Sequence, residues 1–178
     1  SGKFEIYRIS STTDDARTPP EQLTATEGAG ESTVPVYSPD GTQIAFVSTR
    51  SGRPRLYVMN ADGTGVRQVS ELLTADASRP SWSADGKRIA VAAARTPKDD
   101  LDIYLVDVET GSGRPVGATG ADEYEPAWSP DGASILFFKG GHVWGMDAKG
   151  RNAKRLTRTG TADDSEYQAA WSPDGAHF

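Results

Sequence analysis

Apolar residues in this chain fall into short runs that turn residues separate. The run Gln43–Val47 carries apolar side chains on both faces of an extended chain, whereas Val66–Val69 is half polar. The first pattern is typical of a strand between two packed layers, and the second is typical of an outer strand. Many short strands are therefore expected, and only Glu71–Thr74 could form a single helical turn.

One five-residue turn motif recurs four times along the chain. It reads aromatic-Ser-Pro/Ala-Asp-Gly, and its serines are Ser38, Ser83, Ser129 and Ser172, at spacings of 45, 46 and 43 residues. Proline presets φ, aspartate bonds the nearby backbone and glycine accepts positive φ, so the motif predicts a tight turn. A period of this length with several short strands predicts one propeller blade per repeat.

The predicted fold class is therefore an all-β propeller with four-stranded antiparallel blades. About four repeats are present, three complete and one split between the two ends of the chain. In the first complete repeat the strands a to d, from the inside outward, are Val34–Tyr37, Gln43–Val47, Arg55–Met59 and Val66–Val69. The single domain at 1–178 divides into strands c and d of the split blade at 1–27, blades at 31–70, 76–118 and 122–158, and the first strand of the split blade at 163–178.

The split blade permits three arrangements. The chain is a piece of a larger propeller cut inside a blade, or it closes on itself as a four-bladed ring, or two or more copies share composite blades. Only about six residues of strand b are missing where the two ends would meet, by comparison with the complete repeats. Closure of either kind would remove exposed sheet edges.

Composition excludes several classes of function. The 25 acidic residues outnumber the 19 basic ones and give a net charge of −6, which argues against a nucleic-acid binder or an anionic membrane surface as partner. No apolar run approaches 18 residues, so no membrane insertion is expected, and the first residues contain no signal-peptide core. The absence of cysteine excludes disulfides and thiolate chemistry.

Acidic residues precede the innermost strand of each repeat. Because equivalent positions converge at one mouth of a propeller channel, these acids are predicted to form a ring of negative potential. Such a ring could hold a hard cation such as calcium, or a basic or N-terminal peptide segment. The alternative is that each acid bonds backbone amides of the neighbouring blade or is solvated. The candidate residues are Glu31, Asp76, Asp122, Glu123, Glu125 and Glu166.

The turn motif itself is interpreted as structural, because a unique site would not recur in every blade. The aromatic residue is expected to pack between blades. The sequence contains few residues suited to catalysis. His142 and His177 are the only histidines, and no Gly-x-Ser-x-Gly nucleophile turn occurs. We therefore predict no catalytic residues and no dedicated protein metal site.

The repeat resembles the TolB-like beta-propeller repeat. The residues that carry the resemblance are Tyr37-Ser38-Pro39-Asp40-Gly41, Ile44-Ala45-Phe46, Leu56-Tyr57-Val58-Met59-Asn60, Asp62-Gly63 and Arg67-Gln68-Val69-Ser70. Similar repeats occur in periplasmic TolB, which binds the Pal lipoprotein, and in the propellers of prolyl-oligopeptidase-type serine peptidases and tricorn-like proteases.

The resemblance implies a non-catalytic, exported platform for protein–protein interaction, located in the periplasm or outside the cell. A protein or peptide partner is expected, and composite blades would also allow a homo-oligomer. The alternative is the gating propeller of a serine peptidase whose catalytic domain is absent from this chain.

Overall fold

The computed structural model describes residues 3–10, 19–75, 78–117, 120–157 and 169–178, and within these ranges it contains strands and no helix. The strands are β1 (Tyr7–Arg8), β2 (Glu21–Gln22), β3 (Ser32–Tyr37), β4 (Gln43–Ser48), β5 (Arg55–Asn60), β6 (Arg67–Gln68), β7 (Leu73–Thr74), β8 (Ser81–Trp82), β9 (Arg88–Ala94), β10 (Asp102–Asp107), β11 (Gly113–Val116), β12 (Glu123–Trp128), β13 (Ser134–Lys139), β14 (His142–Asp147) and β15 (Lys154–Arg155). No helix of this part of the chain is long and apolar enough to cross a bilayer.

The strands form three antiparallel blades and one hairpin. Blade 1 is β3-β4-β5-β6, blade 3 is β12-β13-β14-β15, and blade 2 is built around β9-β10-β11. The N-terminal hairpin is β1-β2. The predicted all-β fold with four-stranded antiparallel sheets is thereby confirmed.

The two central strands of each blade carry most of its apolar surface. In blade 1, β4 pairs with β5 in an unbroken register from Gln43↔Asn60 to Ser48↔Arg55. Their side chains are buried on both faces, as the double-sided apolar run predicted. The outer strands β6 and β15 contain only two residues each and are largely exposed, so strand d is shorter than the predicted Val66–Val69. Lys and Arg on these strands discourage pairing with another sheet edge.

Blade 2 has a broken inner strand. Both β7 and β8 pair with β9, through Thr74↔Ala93 and Ser81↔Ala90. In blade 1 the corresponding pair is Ser32↔Ser48. Ser32 lies six residues before its motif serine, whereas Thr74 lies nine residues before Ser83, so blade 2 carries a three-residue insertion.

Glu71–Thr74, the one segment that could have formed a helical turn, does not form one. Leu73 and Thr74 form β7 and pair with the inner edge of β9. Pairing with a sheet edge satisfies the backbone of this short segment and overrides its weak local preference for a helix. The sheet of blade 2 therefore includes residues upstream of the predicted blade start at residue 76.

A β-bulge divides the inner strand of blades 1 and 3. The pairing register shifts between Thr33 and Val36 and between Tyr124 and Ala127. At the bulges Val34 and Glu125 have φ of 46° and 49°. Positive φ is uncommon for side chains with a Cβ, and bulges of this kind redirect a side chain beside a strand.

The core lies between blades, as one apolar layer per interface. Between blades 1 and 2, for example, Ala45, Val58 and Val69 belong to the same buried cluster as Tyr104 and Val106. A backbone hydrogen bond recurs at each of three interfaces, from the entrance of the inner strand to the residue before strand c of the preceding unit. These bonds are Ser32 N to Phe4 O (2.8 Å), Thr74 N to Pro54 O (3.1 Å) and Glu123 N to Leu101 O (2.7 Å).

Candidate functional site

The innermost strands line an open central cavity of about 800 Å³. Its wall consists mainly of small and apolar residues, and its charged members are Arg79 and Glu125. Each inner strand or strand-a segment contributes its residue two positions before the motif serine, namely Val36, Ser81, Ala127 and Ala170. This convergence is the feature on which the predicted acidic channel mouth depends.

The turn motif has the same internal hydrogen bonds in every repeat. At the third copy, Ser129 Oγ donates to Asp131 Oδ1 (2.5 Å), and the backbone N–H of Ser134 donates to Ser129 Oγ (2.9 Å). Asp131 also accepts the N–H of Ala133 (2.9 Å). The serine hydroxyl is the main cause of a lowered pKa for the Asp131 carboxyl. The structural interpretation of the motif is confirmed.

The motif tryptophans connect neighbouring inner strands. Trp82 Nε1 donates to Val36 O (3.1 Å), and Trp171 Nε1 donates to Ala127 O (3.1 Å). Trp128 is buried in the same way between blades 2 and 3, but its Nε1 has no hydrogen-bond partner among the described residues. The expected packing of the aromatic residue between blades is confirmed.

Among the candidate acids that the structure describes, Glu125 lines the central cavity. Its side chain is half-buried, and Oε1 accepts the backbone N–H of Arg79 (3.3 Å) in the preceding blade. Its own N–H donates to Ser78 Oγ (3.2 Å). Burial raises the pKa of the Glu125 carboxyl, because desolvation disfavours the charged form. A cationic group placed in the cavity would oppose that cost.

Asp122 and Glu123 bond the backbone of blade 2. Asp122 is exposed, and its Oδ1 accepts the N–H of Leu101 (2.8 Å) while Oδ2 accepts the hydroxyl of Tyr124 (3.0 Å). Glu123 has no exposed surface, and its Oε2 accepts the N–H of Ile103 (3.2 Å). Both carboxylates thus satisfy amides of the neighbouring blade, which was the alternative interpretation of these acids.

The remaining candidates are less closely connected to the cavity. Glu31 is half-buried, and its backbone exchanges hydrogen bonds with Thr49 and Ser48. Asp76 and Glu166 lie outside the described residues. Spacing from the motif also fails in blade 2, because the three-residue insertion puts Thr74 at the entrance that Ser32 and Glu123 occupy elsewhere.

The loop before β10 contains further acidic residues. Burial, followed by the nearby Asp100 carboxylate, raises the pKa of Asp102, and the Lys139 ammonium opposes this. Within the described ranges no group of three or more His, Cys, Asp or Glu side chains is arranged to hold a metal ion. The chemistry available at the cavity is therefore hydrogen bonding, charge attraction and apolar contact.

The bond from the Arg79 amide to Glu125 also fits the alternative of an acid bonded to the neighbouring blade, but the sequence did not identify Arg79 as the partner. The bond depends on the insertion in blade 2, which brings the segment 78–80 against the bulge of blade 3. The only sequence signal is the apolar pair Leu72-Leu73, which marks the true entrance of this inner strand.

Similarity to known proteins agrees with this geometry. The family model described as "TolB beta propeller domain" matches residues 1–96 and 73–178, which together span the chain. The chain belongs to the TolB beta propeller domain family. This TolB-like propeller is similar to the Tol-Pal system protein TolB of Desulfosudis oleivorans, with 31% identity over 143 residues, covering 78% of this chain and 30% of the relative.

Two further relatives are similar to a smaller share of the chain. A protein TolB homolog of Chlorobium luteolum is 37% identical over 108 residues, which cover 60% of this chain and 23% of that protein. The uncharacterized peptidase YuxL of Bacillus subtilis is 29% identical over 147 residues, covering 63% of this chain and 22% of YuxL. The TolB-like propeller thus spans less than a third of the length of these relatives.

Solved structures show the same architecture. TolB of Acinetobacter baumannii superposes with a TM-score of 0.71 at 25% identity, over 92% of this chain and 39% of that one. A puromycin-hydrolyzing peptidase of Mycobacterium tuberculosis superposes with a TM-score of 0.63 at 17% identity, over 79% of this chain and 22% of the peptidase. At that identity the second likeness shows the fold alone.

Proposed function

We propose that this TolB-like propeller is a non-catalytic platform for protein–protein interaction that engages its partner at the central cavity. The observation that carries the proposal is Glu125, a half-buried carboxylate with a raised pKa in the wall of an otherwise mostly apolar cavity. Apolar pockets with few, well-placed polar groups are the usual binding sites of proteins. The net charge of −6 would attract a cationic partner.

The partner segment fits the chemistry of a basic or N-terminal peptide. A lysine ammonium or a free α-amino group would pair with Glu125, and Asp122 and Glu31 would add negative potential nearby. Asp76 and Glu166 remain proposed members of the same acidic mouth, and Glu123 is assigned to the bond with blade 2. A hard cation such as calcium has weaker support, because the described residues offer no cluster of three ligands.

We also propose that the protein is exported. The similarity to a Tol-Pal system protein supports a periplasmic or extracellular location and a protein partner. The chain covers only part of that relative, so the shared segment supports the interaction role of the propeller itself.

Binding of a short lysine-glycine peptide with a free N-terminus tests the proposal by isothermal titration calorimetry. Glu125→Gln removes the charge at nearly constant volume, and we expect affinity to fall at least about fivefold, in line with loss of a partly buried ion pair. Glu109→Gln is the matched control, because Glu109 is exposed on the turn between β10 and β11 and distant in sequence from the cavity residues. Equal affinities for the parent and both variants would disprove engagement at Glu125.

A second candidate function is the gating propeller of a serine peptidase. The similarity to YuxL over 147 residues favours it. The test is the complete reading frame from which this chain comes, expressed and assayed with a prolyl peptide substrate. A Gly-x-Ser-x-Gly segment beyond residue 178 and serine-dependent hydrolysis would support the peptidase, and their joint absence would remove it.

A further inference from the structure

Two side chains of opposite charge lie in the wall of the central cavity. Arg79 and Glu125 each lie four residues before the motif serine of their blade, Ser83 and Ser129. They come from the neighbouring blades 2 and 3, and the other residues that line the cavity are uncharged. The cavity therefore presents one cation and one anion on a mostly apolar surface.

Arg79 and Glu125 are neighbours but do not form an ion pair. The backbone N–H of Arg79 donates to Glu125 Oε1 (3.3 Å), so the main chain of one residue touches the side chain of the other. None of the ion pairs among the described residues includes either of them. The Arg79 side chain is exposed and has no hydrogen-bond partner in this part of the chain. Its charge is therefore available to a ligand.

The environment of Glu125 favours a cationic ligand group. Burial raises the pKa of its carboxyl, and the Arg79 N–H, the Ser78 hydroxyl and the Arg79 guanidinium oppose this rise without cancelling it. A carboxylate that pairs with a cation recovers part of its desolvation cost. The guanidinium of Arg79, in turn, offers a planar set of donors that fits a carboxylate. Each charged group would thus be complemented by a ligand group of opposite sign.

We infer that the cavity recognises a partner segment that carries a cationic and an anionic side chain close together, with the cation at Glu125 and the anion at Arg79. This inference rests on the proposed function and adds the property that selects the partner. The two charges are too far apart for an ion pair, yet the guanidinium is close enough to influence the carboxyl. Alternate side chains of an extended peptide point to one face and lie about 7 Å apart, which fits between these limits. The expected segment therefore has a lysine and an acidic residue separated by one residue.

Arg79 also acts against the wrong partners. The net charge of −6 attracts basic segments in general. The Arg79 guanidinium repels a second cation beside the one that pairs with Glu125, so a purely basic segment binds less tightly than a mixed one. The equivalent position in blade 1 is Val34, so this discrimination arises at the interface between blades 2 and 3.

Two capped pentapeptides test the inference, namely acetyl-Gly-Lys-Gly-Glu-Gly-amide and the same peptide with glutamine in place of glutamate. Isothermal titration calorimetry measures the affinity of both for the parent protein and for Arg79→Gln. We expect the parent to bind the glutamate peptide at least about threefold more tightly, in line with a partly exposed ion pair. In Arg79→Gln this preference should disappear. The glutamine peptide should bind Arg79→Gln up to about twofold more tightly than the parent, because the repulsion of its lysine is removed.

Two further variants separate the charge of Arg79 from general effects. Arg53→Gln changes the net charge equally, but Arg53 is exposed on the turn between β4 and β5 and does not line the cavity, so the preference should persist. Arg79→Lys keeps the charge without the planar set of donors and should retain a preference of about twofold. Circular dichroism of each variant checks that it is folded.

The outcomes distinguish this inference from the proposed function. If the parent binds both peptides equally while Glu125→Gln weakens both, the cavity engages a cation but selection by Arg79 is wrong. A preference that persists in Arg79→Gln, or one that Arg53→Gln also abolishes, overturns the inference as well. If neither peptide binds the parent, the inference is overturned, and the lysine-glycine peptide with a free N-terminus decides whether the proposed function stands.

Discussion

At the scale of single residues, turn glycines set how closely two blades approach. Gly150 has φ of +77°, and a Cβ added there would lie 2.3 Å from Cβ of Val116 in the preceding blade. Gly111 is placed similarly, with 2.4 Å between its added Cβ and Val69 O. These glycines are required for a close approach as well as for their backbone conformation.

Two glycine substitutions distinguish the cost of the backbone conformation from the cost of a close approach between blades. Gly86 also has positive φ (+67°), but nothing lies within 4 Å of an added Cβ. We expect Gly86→Ala to lower the free energy of unfolding by about 1–2 kcal/mol for the left-handed conformation alone. Gly150→Ala should lose about 1–3 kcal/mol more, because it also overpacks the blade interface. Urea denaturation of both variants measures the difference, and equal losses would contradict the proposed contact.

At the scale of elements, the indole N–H groups join successive inner strands. Trp82 and Trp171 donate to carbonyls of the preceding strand, whereas the buried Nε1 of Trp128 has no partner in the part of the chain that the structure describes. The guanidinium of Arg88 lies 5.2 Å from the Trp128 ring centroid. Three residues with the same sequence motif thus make different contributions to the blade interfaces.

A pair of phenylalanine variants tests this difference. Trp82→Phe removes the donor to Val36 O and leaves that carbonyl without its partner, so unfolding should become easier by about 0.5–1.5 kcal/mol beyond the effect of the smaller ring. Trp128→Phe removes a similar ring area and an unsatisfied N–H, so its loss should be smaller. Thermal and urea unfolding of both variants provide the measurement. A larger loss for Trp128→Phe would show that its N–H does find a partner.

The inner strands also mark the limit of prediction at this scale. The repeat motif placed the central strands β4 and β5 close to where they lie, because their apolar runs are long and bounded by turns. Spacing from the motif serine could not predict which residue begins the inner strand of blade 2. Pairing of Thr74 with Ala93 decides that entrance, and it comes from a contact between strands rather than from local preference.

At the scale of the whole molecule, carboxylates in turns make stability depend on pH. Among the described residues, seven aspartates accept hydrogen bonds that lower their pKa, namely Asp40, Asp62, Asp85, Asp107, Asp131, Asp147 and Asp174. For Asp40, Asp85, Asp131 and Asp174 the first cause is the hydroxyl of the motif serine. Burial raises the pKa of Glu125 and Asp102, which act in the opposite direction.

The sign of the pH effect follows from linkage. A lowered pKa adds stability that is present above the unfolded value, near pH 3.9 for aspartate, and is lost as the pH falls through the lower folded value. We expect urea midpoints to be nearly constant above about pH 5 and to fall steadily below about pH 4. Asp131→Asn should reduce the steepness of that fall. A midpoint that rises on acidification below about pH 4 would show that the buried acids dominate instead.

The sequence alone determined the architecture of this protein. A repeated turn motif and apolar runs of strand length recur with a period near 45 residues, and a repeat that buries its apolar face only against its neighbours predicts a propeller. The structural role of the motif followed from its recurrence. The acids near the inner strands could also be found, because their spacing from the motif is visible in the sequence.

Only the tertiary structure decided what those acids do. Glu123 is buried against Ile103 N and Glu125 faces the cavity, although the two are separated by a single residue. The bulge at Glu125 and the insertion in blade 2 create this difference, and both arise from pairing between strands distant in sequence.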